Sequence, residues 1–220
     1  VVVTPSLPED LDSDAQQRAL KALLDAFLAG ESAPLVRWYY MPMMLPFSRH
    51  VEAVRTVYDC MDELANFRFA PPQLLDLERE LFDVADIVFT GGYSLYEAKQ
   101  DRHPRVHPLP SRVDRAHFAR ARAADGEERR AGPARFGFFG VIDERMDLGL
   151  IAALADAHPE WSIEILGPVV KIDPSDLPVR ANLHFPGGCS YGHLPDRPGA
   201  WGVALMPFAV NEATRFTSPT

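Results

Sequence analysis

Apolar positions along this chain repeat with two different periods. From Ser13, Leu20, Leu23, Leu24, Phe27 and Leu28 recur three and four residues apart, which predicts an amphipathic helix capped by Asp12 or Ser13 and ending near Ala29–Gly30. Short apolar runs at Leu35–Tyr40, Arg55–Asp59, Ile87–Thr90 and Val106–Leu109 predict buried strands, and Val1–Val3 reads as the end of another. Between them, Leu74, Leu77, Leu81 and Val84 mark a helix near Gln73–Ala85 introduced by Pro71-Pro72, and a further helix begins near Ser94 after Gly91-Gly92.

The texture changes between Arg112 and Arg135, where seven arginines against four acidic residues, with Gly126, Gly132 and Pro133, give the composition of a connector. A second series follows. Strands are predicted at Phe136–Gly140, Trp161–Leu166, Asn182–Phe185 and Gly202–Pro207, with Leu148, Ile151, Leu154 and Ala155 on one helix face. Strands separated by helical patterns form parallel sheets with crossover helices. The fold class expected is therefore α/β with two Rossmann-like domains: residues 1–112, a linker at 113–132, and residues 133–220. Both ends read as cut, since the chain opens on Val1 without Met and stops at Thr220 directly after an apolar strand.

Composition narrows the function classes. With 220 residues and 47% hydrophobic content the chain can bury a sizeable core, and no run approaches the ~20 apolar residues of a membrane span. A net charge of −9 argues against a nucleic-acid binder, whose affinity comes from Lys and Arg neutralising phosphates. Cys60 and Cys189 are too distant to read as a CxxC metal pair or a disulfide scaffold. His103, His107 and His117 read as surface or structural histidines, Met41–Met44 as packing, and no metal site is expected.

Candidate chemistry lies at the carboxyl ends of the strands, where open α/β sheets bind ligands. In the second series these ends read Gly140-Val141-Ile142-Asp143-Glu144-Arg145, Gly167-Pro168 and Gly187-Gly188. Small residues there allow close approach of a ligand to the backbone, and a guanidinium at Arg145 could fork onto a diphosphate. Asn211-Glu212-Ala213-Thr214-Arg215 and Ser218 bring an amide, a carboxylate and hydroxyls together after the last strand, a polar density suited to sugar hydroxyls. Asp59 and Asp62 stand at a strand end of the first half, as sugar contacts or as helix caps. Neither GxGxxG nor GxxxxGK[ST] occurs.

Gly140 with Arg145, Gly167-Pro168, and the strand leading into Asn211-Glu212 and Ser218-Pro219 together resemble the GT-B glycosyltransferases of the family-four type. So do Val57–Leu64, Asp86–Leu95 and the crossing Pro110-Ser111-Arg112-Val113-Asp114. The resemblance implies transfer of a sugar from a nucleotide-diphosphate-sugar donor to an acceptor hydroxyl in cell-surface or extracellular polysaccharide synthesis. The donor would lie in the second domain and a carbohydrate or lipid-linked acceptor in the first, with no resident cofactor. It implies a cytoplasmic location with peripheral association at the inner membrane face. Carried over by residue, Glu212 matches the glutamate that touches the donor sugar, and Asp62 joins it as a catalytic candidate. Gly140, Val141, Ile142, Arg145, Gly167, Pro168, Asn211, Thr214 and Ser218 fall on the donor-binding positions. Val141 stands where the family usually carries an Arg, so only the Arg145 half of that clamp is present, and the place of a second glutamate is taken by Thr220. Two alternatives share the architecture: a sugar-nucleotide epimerase, which needs acid/base carboxylates and a His, and a non-catalytic sugar-nucleotide-binding domain.

Overall fold

A computed structural model describes residues 2–124 and 133–217. The chain divides into two compact units, one running to Ser111 and taking in Phe216 and Thr217, the other running from Arg112 to Arg215. Each is built on a four-stranded, all-parallel sheet.

In the N-terminal unit, α1 (Ser13–Leu28) starts where Asp12 accepts the Ala15 N–H at 2.7 Å, as the sequence predicts. Its apolar stripe is not sunk into a core: no residue of α1 is buried, and Phe27 is 60% exposed. The strands β1 (Val36–Tyr39), β2 (Arg55–Cys60), β3 (Ile87–Thr90) and β4 (Val106–Pro108) lie side by side in chain order. The short α2 (Leu45–Ser48) follows Met41–Met44 in the β1–β2 crossover, while α3 (Leu74–Val84) and α4 (Tyr93–Lys99) make the other two crossovers. Register puts Tyr39, Tyr58, Val88 and Val106 in one row, and the period of two sends them to the face where Leu81, Phe82 and Leu95 pack. Each fully buried leucine here contributes about 1.5–3 kcal/mol. The opposite face carries Trp38, Asp59 and Phe89. Val2 and Val3 form no strand and are exposed, because no neighbouring strand pairs with them among the described residues.

A buried ionic cluster ties these elements together. Lys99 on α4 reaches Glu78 on α3 at 2.8 Å and Glu63 in the β2–α3 loop at 2.8 Å. Arg102 meets the other Glu78 oxygen at 2.7 Å and the Tyr58 hydroxyl donates to Glu78 at 3.1 Å. Glu78 and Lys99 are buried while Glu63 and Arg102 lie nearer the surface, and the two carboxylates face two cations with their charges matched, which a lone buried charge could not achieve.

The C-terminal unit begins with α5 (Arg115–Phe118) and a 3₁₀ segment at Ala119–Ala124, so part of the expected connector is helical; residues 125–132 lie outside the described residues. Asp114 caps α5 through the His117 N–H, and the His117 ring stacks on Tyr191 at 4.1 Å. The strands β5 (Arg135–Phe139), β6 (Ser162–Leu166), β7 (Leu183–Gly187) and β8 (Val203–Ala204) are ordered β7-β6-β5-β8. The crossover α6 (Leu148–Ala157) buries Ile151 and Ala155 against Phe138, Ile163 and Ile165. The strand expected over 202–207 is only two residues long, both exposed, held to β5 by Gly202 N–H to Arg135 O at 2.8 Å and Leu205 N–H to Gly137 O at 2.6 Å. Beneath it, a Cβ on Gly137 would fall 2.0 Å from the buried Trp201 indole, so only a glycine lets that ring lie against the strand.

Candidate functional site

The carboxyl ends of β5, β6 and β7 form the floor of a 240 Å³ cavity lined by Gly140, Val141, Gly167, Pro168, Gly188 and Cys189, with Leu194 at its rim. One of its glycines is forced by a close crossing. Gly167 has a φ of +154°, and a Cβ there would sit 1.7 Å from the Gly140 carbonyl oxygen. Their backbone N–H groups are already committed: Gly140 donates to Leu166 O at 2.9 Å and Gly167 to Gly187 O at 2.9 Å. Ile142 is fully buried in the core, donates to Pro168 O at 2.9 Å and accepts from Val170 at 2.9 Å. Val141 is exposed, and no hydrogen bond engages its N–H among the described residues. Gly140 and Gly167 therefore shape the cavity, and Val141 is one backbone donor there with capacity left for an anion.

Arg145, the guanidinium expected to fork onto a diphosphate, already has a carboxylate partner in the chain. Its guanidinium forks onto Asp143 with hydrogen bonds of 2.9, 3.1 and 2.7 Å, and its N–H donates to the same carboxylate at 3.0 Å. Asp143 is buried, so the pair carries no net charge and the arginine is held rigidly in place. Asp143 is the residue the sequence reading passed over; its position two before Arg145, at a strand end, was the available signal. The N-terminus of α6 is likewise occupied, by the Asp147 carboxylate accepting from Leu150 at 2.8 Å, and does not offer an anion site.

The polar segment after β8 is tied to the Arg145 loop by Asp147 N–H to Pro207 O at 2.8 Å and Ala209 N–H to Arg145 O at 2.8 Å. It forms a tight turn: Asn211 and Thr214 exchange hydrogen bonds at 3.2 Å, and the Thr214 hydroxyl also donates to Ala209 O. Glu212, with 76% of its side chain exposed, pairs with Arg215 at 3.5 Å. Asn211 and Thr214 thus hold the turn together, while Glu212 projects from it. Ser218 lies outside the described residues.

Asp62 belongs to the N-terminal unit, half-buried in the loop after β2, where its carbonyl takes a 3.6 Å contact from the Cys60 thiol. Burial pushes that thiol up to about 12. Asp59, one residue before the end of β2, is the more unusual carboxylate. It is buried and its pKa is raised by desolvation, an effect the Trp38 indole N–H, at 3.3 Å, only partly opposes. Of the histidines, His103 binds Ala85 O at 3.0 Å and His117 binds Tyr191 O at 2.8 Å, each a local structural contact.

The same fold is found in Anabaena HepE. Its crystal structure, in complex with UDP and glucose, matches this chain with a TM-score of 0.63 over 88% of the chain, at 17% sequence identity. The present chain spans 57% of the HepE chain. No protein-family model matches the chain, and no curated protein does. The likeness to HepE shows the α/β fold of two Rossmann-like, GT-B-type units. Among the described residues no helix is long and apolar enough to cross a membrane.

Proposed function

We propose that the chain belongs to an enzyme that transfers a sugar from a nucleotide-diphosphate-sugar donor to an acceptor hydroxyl, with the donor on the C-terminal unit and the acceptor on the N-terminal unit. The observation carrying this reading is the glycine-floored cavity at the ends of β5–β7, with Arg145 following β5 on the same loop. At 240 Å³ it is smaller than the ~300–1,000 Å³ of sites that enclose a whole ligand, so it suits one portion of a nucleotide sugar, with the remainder lying outside. The Val141 N–H and the outer edge of the Arg145 guanidinium would meet the diphosphate, where charge grows as the sugar–phosphate bond breaks. Glu212 and Asp62 are the carboxylates assigned to sugar contacts, with Asn211 and Thr214 in the same turn as Glu212; Ser218 is assigned to the donor from the family resemblance alone. Following the family resemblance, no resident cofactor is invoked, the acceptor is a carbohydrate or lipid-linked saccharide, and the setting is polysaccharide synthesis at the cytoplasmic membrane face. The fold's occurrence in HepE, a protein seen with UDP and glucose, supports the donor class.

Gly188 gives the direct test. A Cβ there meets nothing within 4 Å and Gly188 lines the cavity, so Gly188→Phe is expected to obstruct it without strain at the point of attachment. Calorimetry with UDP and a panel of nucleotide sugars should show binding to the parent, lost in Gly188→Phe at unchanged melting temperature. Equal affinity in both proteins would place the nucleotide elsewhere. A second reading, nucleotide-sugar binding without transfer, is favoured by the neutralisation of Arg145 by Asp143. Binding with no turnover on any acceptor by the intact protein would select it.

A further inference from the structure

The face of the N-terminal sheet opposite its core has a chemical composition that the donor site does not explain. Asp59, Phe89 and His107 are register neighbours on β2, β3 and β4, and Trp38 stands on the same face of β1. Their rings, with Tyr40, form a connected row: Tyr40 to Trp38 at 6.4 Å, Trp38 to Phe89 at 5.9 Å with 21° between planes, and Phe89 to His107 at 6.4 Å. Trp38 is 47% exposed and Tyr40 58%. A row of half-open rings would by itself suit any apolar partner. Asp59 removes that freedom. One of its oxygens accepts from the Trp38 indole, while the other, Oδ1, is buried and has no hydrogen-bond partner among the described residues. A carboxylate oxygen left unpaired is unfavourable, and an apolar helix laid over the row would leave it so.

We infer that this row is a saccharide-binding face, in which a sugar ring stacks on Trp38 and Phe89 and a sugar hydroxyl donates to Asp59 Oδ1. The chemistry on both sides is matched. The C–H face of a pyranose carries the partial positive charge that the negative face of an aromatic ring attracts, and its hydroxyls supply the missing donor. Because Asp59 Oδ1 is buried, this contact requires the half-exposed Trp38 ring to shift on binding. Calling this sugar the acceptor rests on the transfer reading above; the binding itself does not, since it needs neither donor nor the other unit's cavity.

The test is titration of the full chain with neutral trisaccharides, cellotriose and maltotriose, followed by calorimetry and by tryptophan fluorescence, with UDP titrated separately. Saturable binding of at least one trisaccharide is expected, weakened tenfold or more by Asp59→Leu and by Trp38→Ala, with UDP affinity unchanged in both. Asp59→Leu guards against a folding artefact, because replacing a buried carboxylate with one oxygen unsatisfied by an apolar side chain should leave the melting temperature unchanged or raised. No binding of either sugar to the parent, or equal binding by the variants, would overturn the inference. A concentration-dependent dimer broken by Trp38→Ala would overturn it too, by assigning the face to a second copy. Sugar binding that persists in a protein unable to bind UDP would sink the transfer reading and leave this one standing.

Discussion

Replacing Arg145 by Met should destabilise the C-terminal unit before it does anything to a ligand. The guanidinium supplies Asp143 with three side-chain hydrogen bonds, the shortest 2.7 Å, and the Asp143 side chain is 6% exposed against 23% for Arg145. Removing one partner of a fully buried pair costs about 3–5 kcal/mol, because the other charge is stranded. Here the arginine end of the pair reaches solvent, so water can recover part of the carboxylate's solvation and about 2–3 kcal/mol is expected. For a unit of this size that corresponds to a melting temperature lower by roughly 10 °C. The double variant Asp143→Asn/Arg145→Met strands no charge and should recover about 1.5–2 kcal/mol relative to additivity. Unfolding followed by tryptophan emission, with Trp161 and Trp201 reporting on this unit and Trp38 on the other, separates the two transitions. Single and double variants all within ~0.5 kcal/mol of the parent would refute the reasoning and return Arg145 to the ligand as an uncommitted cation.

Gly167→Ala should lower stability by about 3 kcal/mol or more and weaken UDP binding together, since its Cβ cannot coexist with the Gly140 carbonyl; an unperturbed melting temperature would contradict the crossing. Lys99→Met should destabilise the N-terminal unit by about 3 kcal/mol, leaving Glu63 without its cation and Glu78 with Arg102 alone, measurable in the Trp38 transition. Burial pushes Glu78 up, yet its contacts with Lys99 and Arg102 outweigh that and hold it below the ordinary 4.5. Its contribution is therefore present above that value and lost as pH falls through the depressed pKa, so an unfolding series from about pH 6 to about pH 3 should be steeper for the parent than for Glu78→Gln. Iodoacetamide should label the exposed Cys189 in the native protein and the buried Cys60 only on unfolding, with UDP slowing the Cys189 reaction; equal native labelling of both would refute the burial assignment.

The sequence patterns located most elements closely where burial was two-sided or helices were well capped. The run Ile87–Thr90 is β3 as predicted, and the Asp12 cap marks the true start of α1. Amphipathic pattern misled where the partner surface is small. The α1 stripe predicts an amphipathic helix with one apolar face, but Leu24 and Leu28 share only an open groove with side chains of β1 and α2, and no residue of α1 is buried. The stretch 202–207 is apolar enough for a strand, yet Pro207 and the hydrogen bonds of 207–209 to the Arg145 loop end its pairing after two residues. In the site, the strand-end glycines were legible because turns punctuate sequence. The Arg145–Asp143 fork, the Glu63–Lys99–Glu78–Arg102 cluster and the unsatisfied Oδ1 of Asp59 were not, because pairing of charges is decided by which side chains the sheet register and helix packing bring within about 3 Å.

The contact between Gly137 and Trp201 sets a rule for how this protein can change over time. The indole occupies the space a side chain at position 137 would need, so the two positions hold one shared volume between them. A single substitution at 137 meets an occupied site, and a single truncation at 201 leaves an unfilled one, so each step alone is penalised although both together could be neutral. Drift at these positions must therefore pass through paired replacements, small beside large or large beside small. Sequences descended from a common ancestor should record that exchange as correlated change across sixty-four positions of chain.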